Sequence, residues 1–249
     1  MSRSAGSDVY WLEQTACDVP DGDDWLSVSE ANRLRGMRFP KRRTDWRLGR
    51  WTAKRAVAAH LGLPADAGSL AGIEIRSAAS GAPEVDSLSI SLSHRDGAAI
   101  CAVAEAGVAL GCDLEIVEPR SEAFAADYFT PDERSLVARA PAADRSRLLA
   151  LLWSAKESAL KALNVGLRLD TRSVAVEAIG RHPPADCWLP FEARVPGALL
   201  HGWWQPSGRF VRTVVAEPQP RTPLRLFLRG SENQLHNSAT TLPFTSSRG

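Results

Sequence analysis

Two carboxylates, Asp113 and Glu115, stand two residues apart in the string GCDLE, at the end of the apolar run AICAVAEAGVAL. In an extended strand, residues i and i+2 share a face, so both acids point one way while Cys112 and Leu114 point the other. Bare carboxylates side by side repel. Where water is scarce they take up a proton or find a cation, and a divalent metal would satisfy both. The alternative is an edge strand whose acids are solvated or paired with arginine, and the spacing alone leaves the two readings level.

A third carboxylate comes from WSAKESALK, residues 153 to 161, where Trp153, Glu157 and Lys161 fall on one face of an amphipathic helix. Taken alone, Glu157 and Lys161 are an ordinary pair one turn apart, worth about a few tenths of a kcal/mol on a solvated face. Combined with Asp113 and Glu115 they complete a hard, oxygen-only donor set that suits Mg²⁺ or Mn²⁺ rather than Zn²⁺. The five histidines show no HExxH or Cys/His spacing that would support zinc.

Two further stretches carry polar groups suited to anions. In RLRGMRFPKRRTDWRLGRWTAKR, the residues Arg43, Arg47, Arg50 and Lys54 form one helical stripe. Such a stripe is either a solvated face or a site for a small polyphosphate, and the aromatics that stack nucleic-acid bases are missing from it. SISLSHRDG places Ser91, Ser93 and His94 where an alternating strand meets a glycine turn. There they serve either as turn caps or as donors to phosphate oxygens. Neither a Walker A loop nor GxGxxG is present.

These groups need a frame. The chain has 249 residues, 44% hydrophobic and 24% charged, enough for one large domain or two small ones. Its 30 basic and 29 acidic residues balance to a net charge of +1, so the expectation is no nucleic-acid partner and no membrane. Four scattered cysteines without a CxxC pair, and the lack of an apolar leader, predict free buried thiols and a cytoplasmic location.

Along the chain, strands are predicted at residues 8–17 and in GIEIRSA, LSISLSH and AAICAVAEAGVALGCDLEIV. Ser29 is read as a helix cap, and a helix is expected from about Thr44 to His60, stopped by GLP. Thr130, Pro131 and Glu133 form a helix-start signature. A long helix then runs through DRSRLLALLWSAKESALKALN to Asn164 and Gly166. A second sheet follows in DTRSVAVEAI, LPFEARV, LLHGWWQ and RFVRTVVAE. No repeat stands out. The polar composition after Pro218 predicts a flexible tail over 218–249.

Taken in order, RLGRWTAKR, SGAP, LSISLSHRDG, LGCDLEI, FTPDE and LLWSAKESALKALNVGL resemble the 4′-phosphopantetheinyl transferases of the Sfp type over about residues 30 to 180. The most specific elements are G-x-D-x-E and W-x-x-K-E-x-x-x-K. The resemblance implies an α+β fold, a pseudo-dimer of two similar α/β halves (1–110 and 111–217) with coenzyme A and Mg²⁺ in the cleft between them. Such an enzyme would transfer phosphopantetheine from coenzyme A to a serine of an acyl, peptidyl or aryl carrier protein, releasing 3′,5′-ADP; a non-catalytic binder is the alternative. It would act as a monomer.

By the same resemblance, Asp113, Glu115 and Glu157 would hold the metal, and Glu157 would also be the base for the serine hydroxyl, directly or through a metal-bound water. Lys161 would steady the leaving phosphate. Ser93, His94, Arg43, Arg50 and Lys54 would contact coenzyme A phosphates, and carrier proteins would dock near Thr130 to Glu133. The chain departs from the family at Ala82, where a basic residue is usual and Arg76 would have to substitute. It departs again at Cys112, in place of Ile or Val.

Overall fold

The computed structural model of the chain describes residues 6–164, 169–177 and 187–228. The alternation near the N-terminus produces β1 (Tyr10–Thr15). Helix α1 (Val28–Arg35) begins with its own capping box: Ser27 accepts from the Glu30 amide and Glu30 accepts from the Ser27 amide. The cap is Ser27 rather than the expected Ser29, because the reciprocal bond needs a glutamate three residues on.

Helix α2 (Pro40–Leu61) starts ahead of the expected Thr44, since Pro40 at its first position presets the backbone. It ends where Gly62 turns left-handed at φ +67° and its N–H closes on the carbonyls of Ala58 and Ala59. After α3 (Ala67–Gly72), GIEIRSA yields only a two-residue strand, β2 (Arg76–Ser77), paired across the SGAP turn with β3 (Pro83–Glu84). The three strands that follow are β4 (Leu88–Arg95), β5 (Ala98–Glu105) and β6 (Ala109–Ile116).

The helical stretch comprises α4 (Glu122–Tyr128), α5 (Pro131–Arg139) and the long α6 (Ala142–Ala162). The expected capping box is present at α5, with Thr130 and Glu133 exchanging hydrogen bonds. The second group of strands is β7 (Ala175–Glu177), β8 (Leu189–Val195), β9 (Ala198–Ser207) and β10 (Phe210–Glu217). The Gly166 stop expected after α6 lies outside the described residues.

The fold is α+β. A four-stranded sheet has the order β11-β1-β5-β4, where β11 is Leu224–Arg225, and a five-stranded sheet has the order β6-β10-β9-β8-β7. Helix α2 covers the first sheet and α6 the second, while the inner faces of the two sheets meet in a middle core built on Trp11, Ile100, Cys112, Leu114 and Val214. Strand β6 spans the boundary expected at 110/111. Residues 218–228, assigned by composition to a tail, run back beside β1, where Leu224 and Leu226 donate to the carbonyls of Val9 and Trp11. Residues 229–249 lie outside the described residues. All four cysteines are free, but only Cys101 and Cys112 are buried; Cys17 and Cys187 are exposed.

A buried ion pair anchors each long helix. Lys54 of α2 is fully buried, bonded to Glu30 at 2.6 Å and to the carbonyls of Leu70 and Ile73, and Glu30 also accepts from the Ile75 amide. Lys156 of α6 is likewise fully buried, bonded to Glu133 at 2.9 Å and to the carbonyls of Thr171 and Val174, and Glu133 accepts from the Val176 amide. The lysines close matching strings, Trp51-Thr52-Ala53-Lys54 and Trp153-Ser154-Ala155-Lys156. This is an internal repeat that a linear reading passes over, because so few residues carry it.

Candidate active site

Alternation along β6 sends Leu110, Cys112 and Leu114 into the middle core and Gly111, Asp113 and Glu115 toward α6. The glycine makes the approach possible: a Cβ at Gly111 would lie 1.9 Å from the Ser158 carbonyl oxygen. The helix is fastened there by hydroxyls, with Thr213 of β10, the register partner of Asp113, bonded to Ser154 and Ser158. Glu157 and Lys161, one turn apart on α6, are thereby held over the acids of β6.

Asp113 is 5% exposed. Its Oδ1 accepts from the Ser93 hydroxyl at 2.7 Å and from Lys161 Nζ at 2.8 Å, and Lys161 also donates to the Cys112 carbonyl. Strand β4 is stitched to β6 alongside, since the Cys112 amide donates to Ser91 Oγ. Glu115 accepts from Arg120 at 2.6 Å and lies 3.4 Å from Arg95. Burial, with Asp113 adding to it, raises the pKa of Glu157, and the same two causes raise that of Glu115. Burial works against the Lys161 ammonium, but Asp113, Cys112 and Glu157 outweigh it and hold its pKa above the usual value.

Among the described residues, no three His, Cys, Asp or Glu side chains are gathered as a metal centre. The acids predicted as ligands are close enough to repel, and Asp113 and Glu115 have each taken a cationic side chain instead. Two of their oxygens nonetheless have no partner: Asp113 Oδ2 and Glu157 Oε1 are buried without a hydrogen bond among the described residues. Orphaned carboxylate oxygens are the hard donors a divalent cation takes, so the residues fit such an ion.

A cleft of about 250 Å³ opens beside them, walled by the Ser80–Pro83 turn, Ser91, Leu110, Glu157, Lys161 and Asn164. The remaining predicted residues are dispersed. His94 lies exposed at the end of β4 in a neighbouring cleft with Lys41, Asp45 and Glu118. Arg43 donates to the Leu34 carbonyl, and buried Arg50 lies over Trp46, 3.4 Å from Ser77 Oγ. Arg76, the expected substitute at Ala82, shares a cleft with Ala82 and pairs with Asp86. Lys54 is a correction: its ammonium is enclosed by Glu30 and two carbonyls, so it has no open face for a phosphate. Arg120 was missed. Its only sequence signal is a lone arginine five residues beyond Glu115; its position over the ring of Phe124 is a feature of the fold.

A model of the 4′-phosphopantetheinyl transferase superfamily matches residues 109–195, which contain β6 and α6. The 4′-phosphopantetheinyl transferase HetI of Nostoc sp. is 27% identical over 213 residues, covering 79% of this chain and 87% of HetI. The crystal structure of Thermotoga maritima holo-[acyl-carrier-protein] synthase shares 21% identity at a TM-score of 0.32, over 43% of this chain and 61% of that one, under two thirds of its length. The chain is thus similar to 4′-phosphopantetheinyl transferases, through the family model over β6 to β8 and through HetI over most of its length.

Proposed function

We propose that this enzyme, of the Sfp type, transfers 4′-phosphopantetheine from coenzyme A to a serine of an apo acyl, peptidyl or aryl carrier protein, with Mg²⁺, releasing 3′,5′-ADP. One observation carries the reading: Glu157 and Lys161 line a cleft, Lys161 is bonded to Asp113 at 2.8 Å behind it, and two buried carboxylate oxygens of Asp113 and Glu157 are left unpartnered. A bound Mg²⁺ would be held by Asp113 and Glu157, with Glu115 exchanging Arg120 for it, and would neutralise charge on the pyrophosphate.

Glu157, its pKa raised by burial and by Asp113, is poised to take the serine proton, because a base is most effective when its pKa lies nearer neutrality. The serine oxygen then attacks the β-phosphorus of coenzyme A, and the bond to 3′,5′-ADP breaks. Lys161, held charged by the surrounding acids, offsets charge on the departing phosphate. The two sheets, each covered by one helix with the same buried Glu–Lys anchor, support the pseudo-dimeric arrangement and with it a monomer. The described residues contain no helix long and apolar enough to cross a membrane.

Incubation with coenzyme A, Mg²⁺ and a panel of apo carrier proteins should add one phosphopantetheine to a carrier, read by mass spectrometry. Glu157→Ala should lower that transfer on the order of 10²–10³-fold or more. No mass gain across the panel would sink the proposal and favour a binder without transfer.

A further inference from the structure

The shared W-[T/S]-A-K string places α2 and α6 in a common frame, and that frame brings out a second cleft. One, five and eight residues after Lys156 stand Glu157, Lys161 and Asn164, all in the wall of the proposed active cleft. At the same steps after Lys54 stand Arg55, Ala59 and Gly62, and all three line a separate cavity of about 440 Å³. Asn164 and Gly62 also share a left-handed backbone, at φ +55° and +67°.

The chemistry of the second cavity is inverted. Where the first has a carboxylate and an ammonium, the second has a guanidinium and a methyl group, and the rest of its described wall is apolar, with Leu63, Pro64 and Phe227. Arg55 packs over the Trp51 ring at 5.2 Å, the Asp18 carboxylate stands near enough to favour its charge, and its Nε is buried without an acceptor among the described residues. A buried donor left unpaired is costly and marks a place for an acceptor. Leu63 and Phe227 leave 43% and 84% of their surfaces exposed, an unusual amount of apolar area at one opening.

We infer that this cavity is a ligand site separate from the transferase cleft, and that it takes a medium-chain carboxylate. Its volume lies in the range of small-molecule pockets, roughly 300–1,000 Å³. The apolar wall takes a hydrocarbon chain, and Arg55 donates to the carboxylate head. A carboxylate suits a guanidinium that is the only cation among the described lining residues, since two parallel N–H···O bonds satisfy both partners, whereas a phosphate dianion calls for more positive charge. Among the described lining residues Arg55 is the one polar side chain, which leaves little for the hydroxyls of a sugar or the edge of a base.

Titration calorimetry of the full chain with decanoate should show one saturable site, and decanol, which lacks the charge, should bind more weakly. Arg55→Gln should weaken decanoate about tenfold or more, the loss of a charge-assisted hydrogen bond, and leave decanol unchanged. Leu63→Asp at the opening should weaken both. Glu157→Ala, in the other cleft, should bind decanoate as the unaltered protein does. Should Arg55→Gln fail to fold, Arg55→Lys reads the same contact by removing the paired donors while keeping the charge. Absence of saturable decanoate binding, full binding by the Arg55 variant, or loss of binding in Glu157→Ala would each overturn the inference.

Discussion

On α2 the anchoring lysine is followed by Arg55 and then, four residues on, by Ala59; on α6 it is followed by Glu157 and Lys161. Up to that point the two helices are built alike. Each lysine is fully buried, meets the glutamate of a capping box, and closes two backbone carbonyls, and each glutamate also accepts from a distant backbone amide, Ile75 just before β2 and Val176 within β7. The lysine of the W-[T/S]-A-K string is therefore a folding device, and the chemistry begins one residue beyond it. Residues at these following positions line a cleft instead of the interior, so they differ between the helices without disturbing the anchor.

Breaking the anchors tests the likeness most severely. Glu30→Ala and Glu133→Ala each strand a buried ammonium, so each should lower unfolding free energy by about 3–5 kcal/mol in urea titrations. A paired replacement of Lys156 by Met and Glu133 by Leu should recover much of the loss, because removing both charges removes the desolvation cost as well. Unequal losses from the two single changes would show that the anchors are not equivalent.

Glycine substitutions expose the difference between the helices. A Cβ at Gly111 meets the backbone of Ser158 and Ala162 at 1.9 and 2.7 Å, and backbone cannot yield. Gly111→Ala should therefore lift α6, costing about 1–3 kcal/mol or more and most of the transfer activity, since Glu157 and Lys161 ride on that helix. Gly49 of α2 meets side chains rather than backbone, the end of Leu92 at 3.1 Å and the His94 ring at 4.0 Å. Gly49→Ala should be neutral or stabilising by up to ~1 kcal/mol through helix propensity. Thermal unfolding of the two variants gives the contrast directly, and a tolerated Gly111→Ala would contradict the close packing.

The caps give the smallest effects. Ser27→Ala and Thr130→Ala should each cost about 1 kcal/mol, because the glutamate of each box keeps its lysine when the hydroxyl is gone. A much larger loss at either cap would mean that the hydroxyl, and not the buried pair, orients the glutamate.

Much of this was legible in the chain. Period-two alternation put Asp113 and Glu115 on one face, i,i+4 spacing put Glu157 and Lys161 together, and the start signal at Thr130 and Pro131 placed α5. These are local regularities, set by backbone geometry within a few residues. The correction at Lys54 has a physical cause too. Lys54 and the arginines of α2 look alike in sequence, since a stripe of positive charge reads the same whether it faces solvent, a ligand or a buried glutamate.

By itself, then, the sequence determined which residues could act and which near neighbours each would face, because helix and strand periods are local. Only the tertiary structure decided the pairings that cross the chain: Lys54 with Glu30, Lys161 with Asp113, Arg120 with Glu115 across a turn, and α6 pressed on Gly111. Those depend on which faces the core buries and on how closely two backbones approach, and burial is settled by the whole packed molecule rather than by any segment of it.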